Sequence, residues 1–204
     1  MLNKTARIAS ALFNSGALKF GTFKLKSGQI SPFYIDLSCL LSSPKDFQCI
    51  VDAVADEVEG ILSSRKIDKL ASIELKGALI LPSVATKLNL PCVVVRKETK
   101  QYGVTGRIAG GEVKKGDHML FIDDVVTDGE SKLEGIKPLL EGGAKVETIL
   151  VVIDREQGGK KNLEKQGFQL HAVTTLSEVV QALIKTRKVS EEQAETILRY
   201  IKKQ

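Results

Sequence analysis

Two adjacent acids and the polar turn after them are the part of this sequence that suits chemistry most directly. Asp123 and Asp124 end an apolar run. A turn with Thr127, Gly129 and Ser131 then leads into a helical pattern. Glycine lets a backbone approach an anion closely, and a helix N-terminus offers N–H groups to it. The turn therefore predicts a phosphate-binding loop, and the acids are suited to accepting hydrogen bonds from ribose hydroxyls.

A basic segment and a later arginine suit the same kind of anionic ligand. Residues 93–111 leave an apolar strand pattern and then carry cations among glycines, namely Arg96, Lys97, Lys100 and Arg107. Spacing alone leaves two interpretations open, a solvated surface hairpin and a mobile loop that stabilises a diphosphate leaving group. Arg155 follows another apolar strand pattern, and a guanidinium binds a carboxylate through two parallel hydrogen bonds.

Short strand patterns alternate with helix patterns through the middle and end of the chain. The predicted strands are Leu70–Leu75, Pro91–Val95, His118–Ile122, Val146–Ile153 and 168–174. The predicted helices are 78–88, 131–141, 176–186 and a last helix that opens at Ser190. This alternation predicts an α/β fold with a mostly parallel central sheet flanked by helices on both faces. Ligands of such sheets bind beyond the carboxyl ends of the strands, where the two acids and the arginine are expected.

The first forty residues predict a small cap beside that sheet. A helix is expected over 4–14, followed by short strands at Phe20–Leu25 and Phe33–Leu37. The proline of Ser43-Pro44 suits the first turn of the amphipathic helix that comes next. We expect a single domain over 1–204, with 1–40 contributing to the cap and 96–111 forming a mobile loop.

Composition argues against several classes of protein. Neither the three scattered cysteines nor the two histidines have metal-ligand spacing, so we assign no metal ligand and interpret His118 and His171 as structural. Apolar runs fall far short of the ~20 residues that span a bilayer, and the N-terminus lacks a signal-peptide core. We therefore expect a cytoplasmic protein without a membrane partner. The formal net charge is +5, but no nucleic-acid motif accompanies it, and we expect no nucleic-acid partner.

The two acids and their turn resemble a known motif. A strand, two acids, two apolar residues, then threonine, glycine and a hydroxyl residue are similar to the phosphoribosyl diphosphate-binding motif of type I phosphoribosyltransferases. The resemblance implies that family's fold, with the acids holding the ribose and residues 127–132 holding its 5′-phosphate. Asp128 and Glu130 are acidic where the family has small neutral residues, and we expect them to point to solvent. The implied binding residues here are Asp123, Asp124, Val125, Val126, Thr127, Asp128, Gly129, Glu130 and Ser131.

Four further stretches resemble motifs of one branch of that family, the orotate phosphoribosyltransferases. Their mobile catalytic loop is similar to RKETKQYG (96–103), and their diphosphate-binding loop to IELKGA (73–78). Their orotate-binding segments resemble FKLKSGQISPFYIDLS (23–38) and DREQGG (154–159). The resemblance implies that the diphosphate contacts are Lys76, Gly77, Arg96, Lys97, Lys100 and Tyr102. It implies that the orotate contacts are Lys26, Phe33, Tyr34, Thr127 and Arg155.

The implied reaction transfers a phosphoribosyl group from phosphoribosyl diphosphate to orotate, giving orotidine 5′-monophosphate and diphosphate in pyrimidine biosynthesis. The implied catalytic residues are Lys100, Asp123 and Asp124, with Mg²⁺ as cofactor on the diphosphate. The family implies a homodimer in which Lys100 acts in the neighbouring subunit's site. The end of the chain is similar to the transferase half of UMP synthase, and 204 residues leave no room for its decarboxylase half. A separate orotidine monophosphate decarboxylase is therefore a candidate partner.

Three other functions stay open at the level of sequence. A phosphoribosyltransferase for another base would keep residues 119–132 without needing Lys26 or Arg155. A non-catalytic regulator that binds phosphoribosyl diphosphate would not need Lys100 and Tyr102. A nucleic-acid-binding module would use the basic segment but would leave the two acids unexplained.

Overall fold

The computed structural model of the chain describes residues 3–24, 28–100 and 106–202, with the side chain of Lys100 excepted. The N-terminal part forms, in chain order, α1 (Lys4–Asn14), β1 (Leu18–Lys24), β2 (Ile30–Ile35) and a short 3-10 helix (Leu37–Ser42). The two strands pair antiparallel in a sheet of their own. The predicted helix and strand pair are confirmed, although each strand begins earlier than predicted.

Helices and strands alternate through the rest of the chain. They are α2 (Pro44–Leu62), β3 (Lys69–Ile73), α3 (Lys76–Leu88), β4 (Cys92–Lys100), β5 (Gly106–Ala109), β6 (His118–Val126), α4 (Glu130–Glu141), β7 (Lys145–Asp154), α5 (Gly159–Lys165), β8 (Gln169–Thr175), α6 (Leu176–Lys185) and α7 (Glu191–Lys202). Every predicted helix and strand is present. The sequence does not predict α5, because a helix of 7 residues is too short to establish a period.

The main sheet has six strands in the order β5-β4-β3-β6-β7-β8. All neighbouring pairs are parallel except the edge pair, in which β5 runs antiparallel to β4. The predicted mostly parallel sheet is therefore confirmed. The ends of segment 96–111 differ from a plain loop, because 96–100 continue β4 and 106–109 form β5. Pairing between Lys100 and Gly106 extends this hairpin to its described limit.

Helices cover both faces of the sheet, as the alternation predicts. In β6, Leu120 and Ile122 belong to the core that also contains α1, α2, α3, α6 and α7. Met119 and Phe121 point the other way and pack in a second core with α4. Each of these side chains is at most 1% exposed. Burying one such side chain contributes roughly 1.5–3 kcal/mol, so β6 is firmly fixed from both sides.

Local sequence signals explain how the helices begin. At α7, the N–H of Gln193 donates to Oγ of Ser190 at 3.2 Å, and the N–H of Ser190 donates back to Oε1 of Gln193 at 3.3 Å. This is the reciprocal arrangement that their spacing predicts. At α2, Pro44 occupies the first turn, where its missing N–H leaves no hydrogen bond unmade. Within the described ranges, no helix combines the length and apolar character needed to cross a bilayer.

Candidate active site

Four neighbouring strands bring the predicted functional segments to one edge of the sheet. Strands β4, β3, β6 and β7 lie side by side and run parallel. Their carboxyl ends, or the turns that follow, contain Lys97, Lys76, Asp124 and Arg155 respectively. Segments far apart in the chain therefore meet where an α/β sheet binds its ligands.

The turn after the two acids ends at a helix N-terminus, as predicted. Strand β6 runs past the acids to Val126, and α4 begins at Glu130. Gly129 adopts a φ of +94°, and a Cβ there would lie 2.8 Å from Cγ of Leu163. Glycine is therefore required both by the backbone conformation and by the available space. A turn held against the start of a helix favours an anion through N–H groups and the helix dipole.

Asp128 and Glu130 are both exposed, as expected for acids beside a phosphate site. Asp128 nevertheless directs one oxygen at the loop itself. Its Oδ1 accepts a hydrogen bond from the N–H of Glu130 at 3.0 Å. An N–H in the first turn of a helix is a group that a bound phosphate uses. An anionic ligand would therefore compete with the Asp128 carboxylate for this donor.

The two adjacent acids have different surroundings. Asp123 is only 4% exposed. Its Oδ1 accepts from the N–H of Asp124 at 2.9 Å, and its Oδ2 lies 2.8 Å from Nζ of Lys132. Asp124 is partly exposed, and burial together with the negative charge of Asp123 raises its pKa to about 6. Asp124 is thus the more accessible acid, and Asp123 is held behind it.

The cation that pairs with Asp123 is Lys132, the last residue of the segment predicted to hold the 5′-phosphate. Lys132 lies in the first turn of α4 and is 4% exposed. Its Nζ also donates to the carbonyl oxygen of Val125 at 2.5 Å. The sequence did contain a signal for it, because Lys132 shares a helical face with the buried Ile136 and Leu139. A lysine on an inward face requires a partner, and the nearest acids are those of β6.

The segment between β3 and α3 contains the predicted diphosphate-binding lysine. The peptide bond between Glu74 and Leu75 is cis, and Lys76 opens α3. Nζ of Lys76 lies 3.2 Å from Oδ1 of Asp36. Burial alone would lower the pKa of Lys76, but the hydrogen bond and charge of Asp36, with a contribution from Asp124, raise it. Lys76 therefore stays a cation at this edge of the sheet.

Gly77 brings this segment into direct contact with the acids. A Cβ on Gly77 would collide with Oδ1 of Asp123 and with Oγ of Ser72. The missing side chain therefore lets the start of α3 lie against the carboxylate of Asp123. The order of the motifs along the chain does not reveal this contact, because β3 and β6 become neighbours only in the sheet.

Arg155 lies beside two of the residues predicted to share its ligand. Its guanidinium carbon is 4.9 Å from the ring centroid of Phe33, and its Nη1 donates to Oγ1 of Thr127 at 3.4 Å. Its Nε is buried and has no hydrogen-bond partner among the described residues. Burial lowers the pKa of Arg155. A buried guanidinium with an unused donor, stacked on an aromatic ring, is suited to a planar carboxylate ligand.

Tyr200 is a further aromatic residue at this position, which no sequence motif singles out. Its ring meets that of Phe33 edge to face, with centroids 5.8 Å apart. Its hydroxyl is buried and, in the part of the chain that the structure describes, has no hydrogen-bond partner. The residue reaches this place because α7 packs on β2, and no local pattern in the sequence encodes that packing.

Two backbone hydrogen bonds connect the Arg155 segment to the phosphate loop. The N–H of Arg155 donates to the carbonyl of Val126 at 3.1 Å, and the N–H of Gly159 donates to that of Thr127 at 2.8 Å. A Cβ on Gly159 would lie 2.7 Å from this Thr127 oxygen. The last glycine of DREQGG therefore allows the two loops to approach, and the guanidinium is positioned relative to the phosphate loop by the backbone.

The described part of the basic segment lies next to the segment that contains Lys76. The N–H of Lys97 donates to Oε1 of Glu74 at 2.6 Å, while the Lys97 side chain is exposed. Nη1 of Arg96 donates to the carbonyl of Gly106 at 3.1 Å, across the hairpin of β4 and β5. The backbone of β4 at Lys97 is thus held beside the carboxyl end of β3.

Three predicted residues are described in part or not at all. Lys26 and Tyr102 lie outside the described residues, and only the backbone of Lys100 is described, at the end of β4. Tyr34 is 42% exposed and lies near Lys76, whose raised pKa includes a contribution from the Tyr34 phenol. Phe33 and Tyr34 therefore contact different parts of the site, because neighbouring side chains of a strand point to opposite faces.

Potential metal-binding side chains are not clustered in the part of the chain that the structure describes. In those ranges, no three His, Cys, Asp or Glu side chains are grouped as a metal-binding cluster. A Mg²⁺ ion that arrives on a diphosphate keeps several waters and needs few protein ligands.

This chain is similar to phosphoribosyltransferases both at the level of the protein family and at the level of individual relatives. Residues 44–182 match the family described as the phosphoribosyl transferase domain. An orotate phosphoribosyltransferase of Pyrococcus horikoshii is 38% identical over 175 residues, which cover 86% of this chain and 92% of the relative. The segments after β3, β4, β6 and β7 all lie inside the matched family region.

The solved structures with similar folds include a UMP synthase and an orotate phosphoribosyltransferase. UMP synthase of Leishmania donovani superimposes with a TM-score of 0.87 at 31% identity, covering 99% of this chain and 43% of that one. Orotate phosphoribosyltransferase of Aeropyrum pernix superimposes with a TM-score of 0.74 at 27% identity, covering 90% of this chain and 99% of that one. The fold of this chain is thus shared over 99% of its length with the first of these structures and over 90% with the second.

Proposed function

This chain belongs to the orotate phosphoribosyltransferases, and we propose that it joins orotate to phosphoribosyl diphosphate, giving orotidine 5′-monophosphate and diphosphate for pyrimidine biosynthesis. One observation supports orotate in particular. The guanidinium of Arg155 lies on Phe33, contacts Thr127 and keeps a buried donor unused. Orotate is a planar ring with a carboxylate, and this arrangement complements both features.

We assign the phosphoribosyl part of the substrate to the loop between β6 and α4. The 5′-phosphate binds the backbone of residues 127–132 at the start of α4, where the helix dipole favours it. Asp124 accepts hydrogen bonds from the ribose hydroxyls. The buried Asp123 holds Asp124 in place by accepting its N–H. This assignment is supported by the accessibility of Asp124 and by the burial of Asp123.

We assign the diphosphate to the cations of two neighbouring segments. A ring nitrogen of orotate displaces diphosphate from C1 of the ribose, so positive charge develops on the ribose and negative charge on the leaving group. Cations held in place at the diphosphate stabilise that charge, and no protein nucleophile is needed. The residues we assign are Lys76, Gly77, Arg96, Lys97, Lys100 and Tyr102, with Lys100 as the main catalytic cation.

We assign orotate to the space between the Arg155 segment and the N-terminal strand pair. Arg155 binds the carboxylate and Phe33 supports the guanidinium from below, while Thr127, Tyr34 and Lys26 complete the contacts. Mg²⁺ supplies charge neutralisation on the diphosphate, and we assign it no protein ligand. We also propose a cytoplasmic homodimer. The UMP synthase name of one structural relative makes a separate decarboxylase a candidate partner.

The experiment that tests the function follows the absorbance of orotate in the presence of phosphoribosyl diphosphate and Mg²⁺. Parallel reactions replace orotate with uracil, hypoxanthine or adenine, and a further reaction contains a chelator instead of Mg²⁺. We expect consumption of orotate alone, and only with Mg²⁺. Consumption of another base in place of orotate would contradict the assignment of Arg155, and binding without turnover of any base would favour a regulator.

A further inference from the structure

Lys132 has a buried ammonium group, which is unusual for a lysine. Its side chain is 5% exposed, and lysine is almost never buried so completely without a charged partner. Nζ lies 2.8 Å from Oδ2 of Asp123, and it donates to the carbonyl of Val125 and to Oγ of Ser131 at 3.2 Å. These contacts use the three donors of the ammonium, so the group has a single well-defined position.

The carboxylate held by Lys132 in turn contacts two other segments of the site. Oδ1 of Asp123 accepts the N–H of Asp124 at 2.9 Å. A Cβ on Gly77 would collide with the same oxygen, so the start of α3 packs directly on it. Through Asp123, one ammonium on α4 is therefore connected to the accessible acid and to the proposed diphosphate segment. Through Ser131 and Val125 it is also connected to the proposed phosphate loop.

We propose that Lys132 is a positioning residue of the phosphoribosyl diphosphate site: it fixes Asp123, and Asp123 fixes Asp124 and Gly77. This inference rests on the proposed function, because it assumes that these segments bind that substrate. In this role the ammonium of Lys132 acts through Asp123, because its three donors are already used within the protein. Its removal leaves a buried carboxylate without a cation, and that carboxylate must turn toward water or take up a proton. Either change displaces Asp124 and the segment packed on Asp123.

The consequence is selective for one substrate. Arg155 is positioned by hydrogen bonds from its own segment to Val126 and Thr127 and by the ring of Phe33. None of these contacts involves Lys132. Loss of Lys132 should therefore weaken the binding of phosphoribosyl diphosphate much more than the binding of orotate.

The experiment compares initial rates of three variants over a grid of both substrate concentrations, with melting temperatures measured alongside. Lys132→Met keeps the volume and removes the charge, and Lys132→Arg keeps the charge. Lys137→Met makes the same change on the exposed side of α4, where the lysine is 73% exposed. We expect Lys132→Met to raise KM for phosphoribosyl diphosphate about tenfold or more, with KM for orotate changed less than about threefold. Lys132→Arg should recover most of the loss, and Lys137→Met should behave as wild type.

A double variant keeps the proposal testable if Lys132→Met does not fold. Asp123→Asn with Lys132→Met removes both charges together, so no unpaired ion remains buried. We expect this protein to fold and still to show the raised KM for phosphoribosyl diphosphate. A KM for that substrate equal to wild type in either variant, or equal increases in both KM values, would overturn the proposal. If the wild-type protein consumes no orotate at all, the proposed function fails instead, so the two failures are distinguishable.

Discussion

Asp124 illustrates, at the scale of one residue, how its surroundings set the charge of a carboxyl group. Its pKa rises from 3.8 to about 6 because the group is buried beside the charge of Asp123. The folded protein therefore holds this proton more tightly than the unfolded chain does. Ionisation of Asp124 therefore lowers the free energy of unfolding as pH rises from about 4 to about 6. At higher pH the free energy of unfolding stays lower by the full amount.

Asp124→Asn should consequently be more stable than wild type near neutral pH. Above about pH 7 we expect a gain on the order of 2 kcal/mol in the free energy of unfolding, with the gain disappearing below about pH 4. Urea unfolding at both pH values measures this difference. Asp56→Asn, a change at an exposed acid, serves as control and should have little effect at either pH. An equal effect of Asp124→Asn at both pH values would show that Asp124 titrates normally.

The proposed phosphate loop contains an acid that competes with its ligand. Oδ1 of Asp128 accepts the N–H of Glu130, and the carboxylate would repel a bound phosphate. Asp128→Ala should therefore lower KM for phosphoribosyl diphosphate by roughly two- to fivefold. Steady-state kinetics measure this, with Glu141→Gln at the other end of α4 as the charge-matched control. An increase in KM after Asp128→Ala would indicate instead that Asp128 helps to shape the loop.

At the scale of secondary structure elements, two glycines differ in how closely neighbouring elements approach them. Gly129 has a positive φ and faces the side chain of Leu163 on α5, whereas Gly60 lies within α2 with open space around it. Gly129→Ala should lower the free energy of unfolding by about 1–3 kcal/mol and raise KM for phosphoribosyl diphosphate, because α4 must move away from α5.

Gly60→Ala makes the same chemical change and should have the opposite effect. Alanine in a helix is favoured over glycine by roughly 0.5–1 kcal/mol, and nothing obstructs its methyl group at this position. Thermal unfolding of both variants compares the two effects. Equal effects of the two substitutions would mean that the approach of α5 to the loop does not depend on Gly129.

At the scale of the whole molecule, the proposed homodimer makes a prediction that a monomer does not. Lys100→Ala should slow turnover by orders of magnitude. Asp124→Asn should also lower activity, but it alters a different part of the site. If each site takes Lys100 from the neighbouring subunit, a mixed dimer of these variants contains one intact site. Mixing after subunit exchange should then restore about a quarter of wild-type activity. No recovery after verified exchange would show that Lys100 does not act across the interface.

The sequence by itself determined the order of the elements, and it supplied most of the residues that we propose for the site. Period and turn chemistry are local, so the strands, the helices and the turn after Asp124 could be predicted from neighbouring residues. The short α5 was missed because its pattern is too brief, and segment 96–111 was predicted as a loop although its ends continue β4 and form β5.

The tertiary structure alone decided which of these residues contact one another. The sequence pattern places Lys132 on the buried face of a helix. Only the packing of α4 against Asp123 identifies its partner. The need for glycine at Gly77 follows from the pairing of β3 with β6, and Tyr200 reaches the ring of Phe33 only because α7 packs on β2. In each case the partners are distant in the chain or on different elements. Local periodicity cannot encode such contacts, because they depend on how buried surfaces fit when the elements pack together.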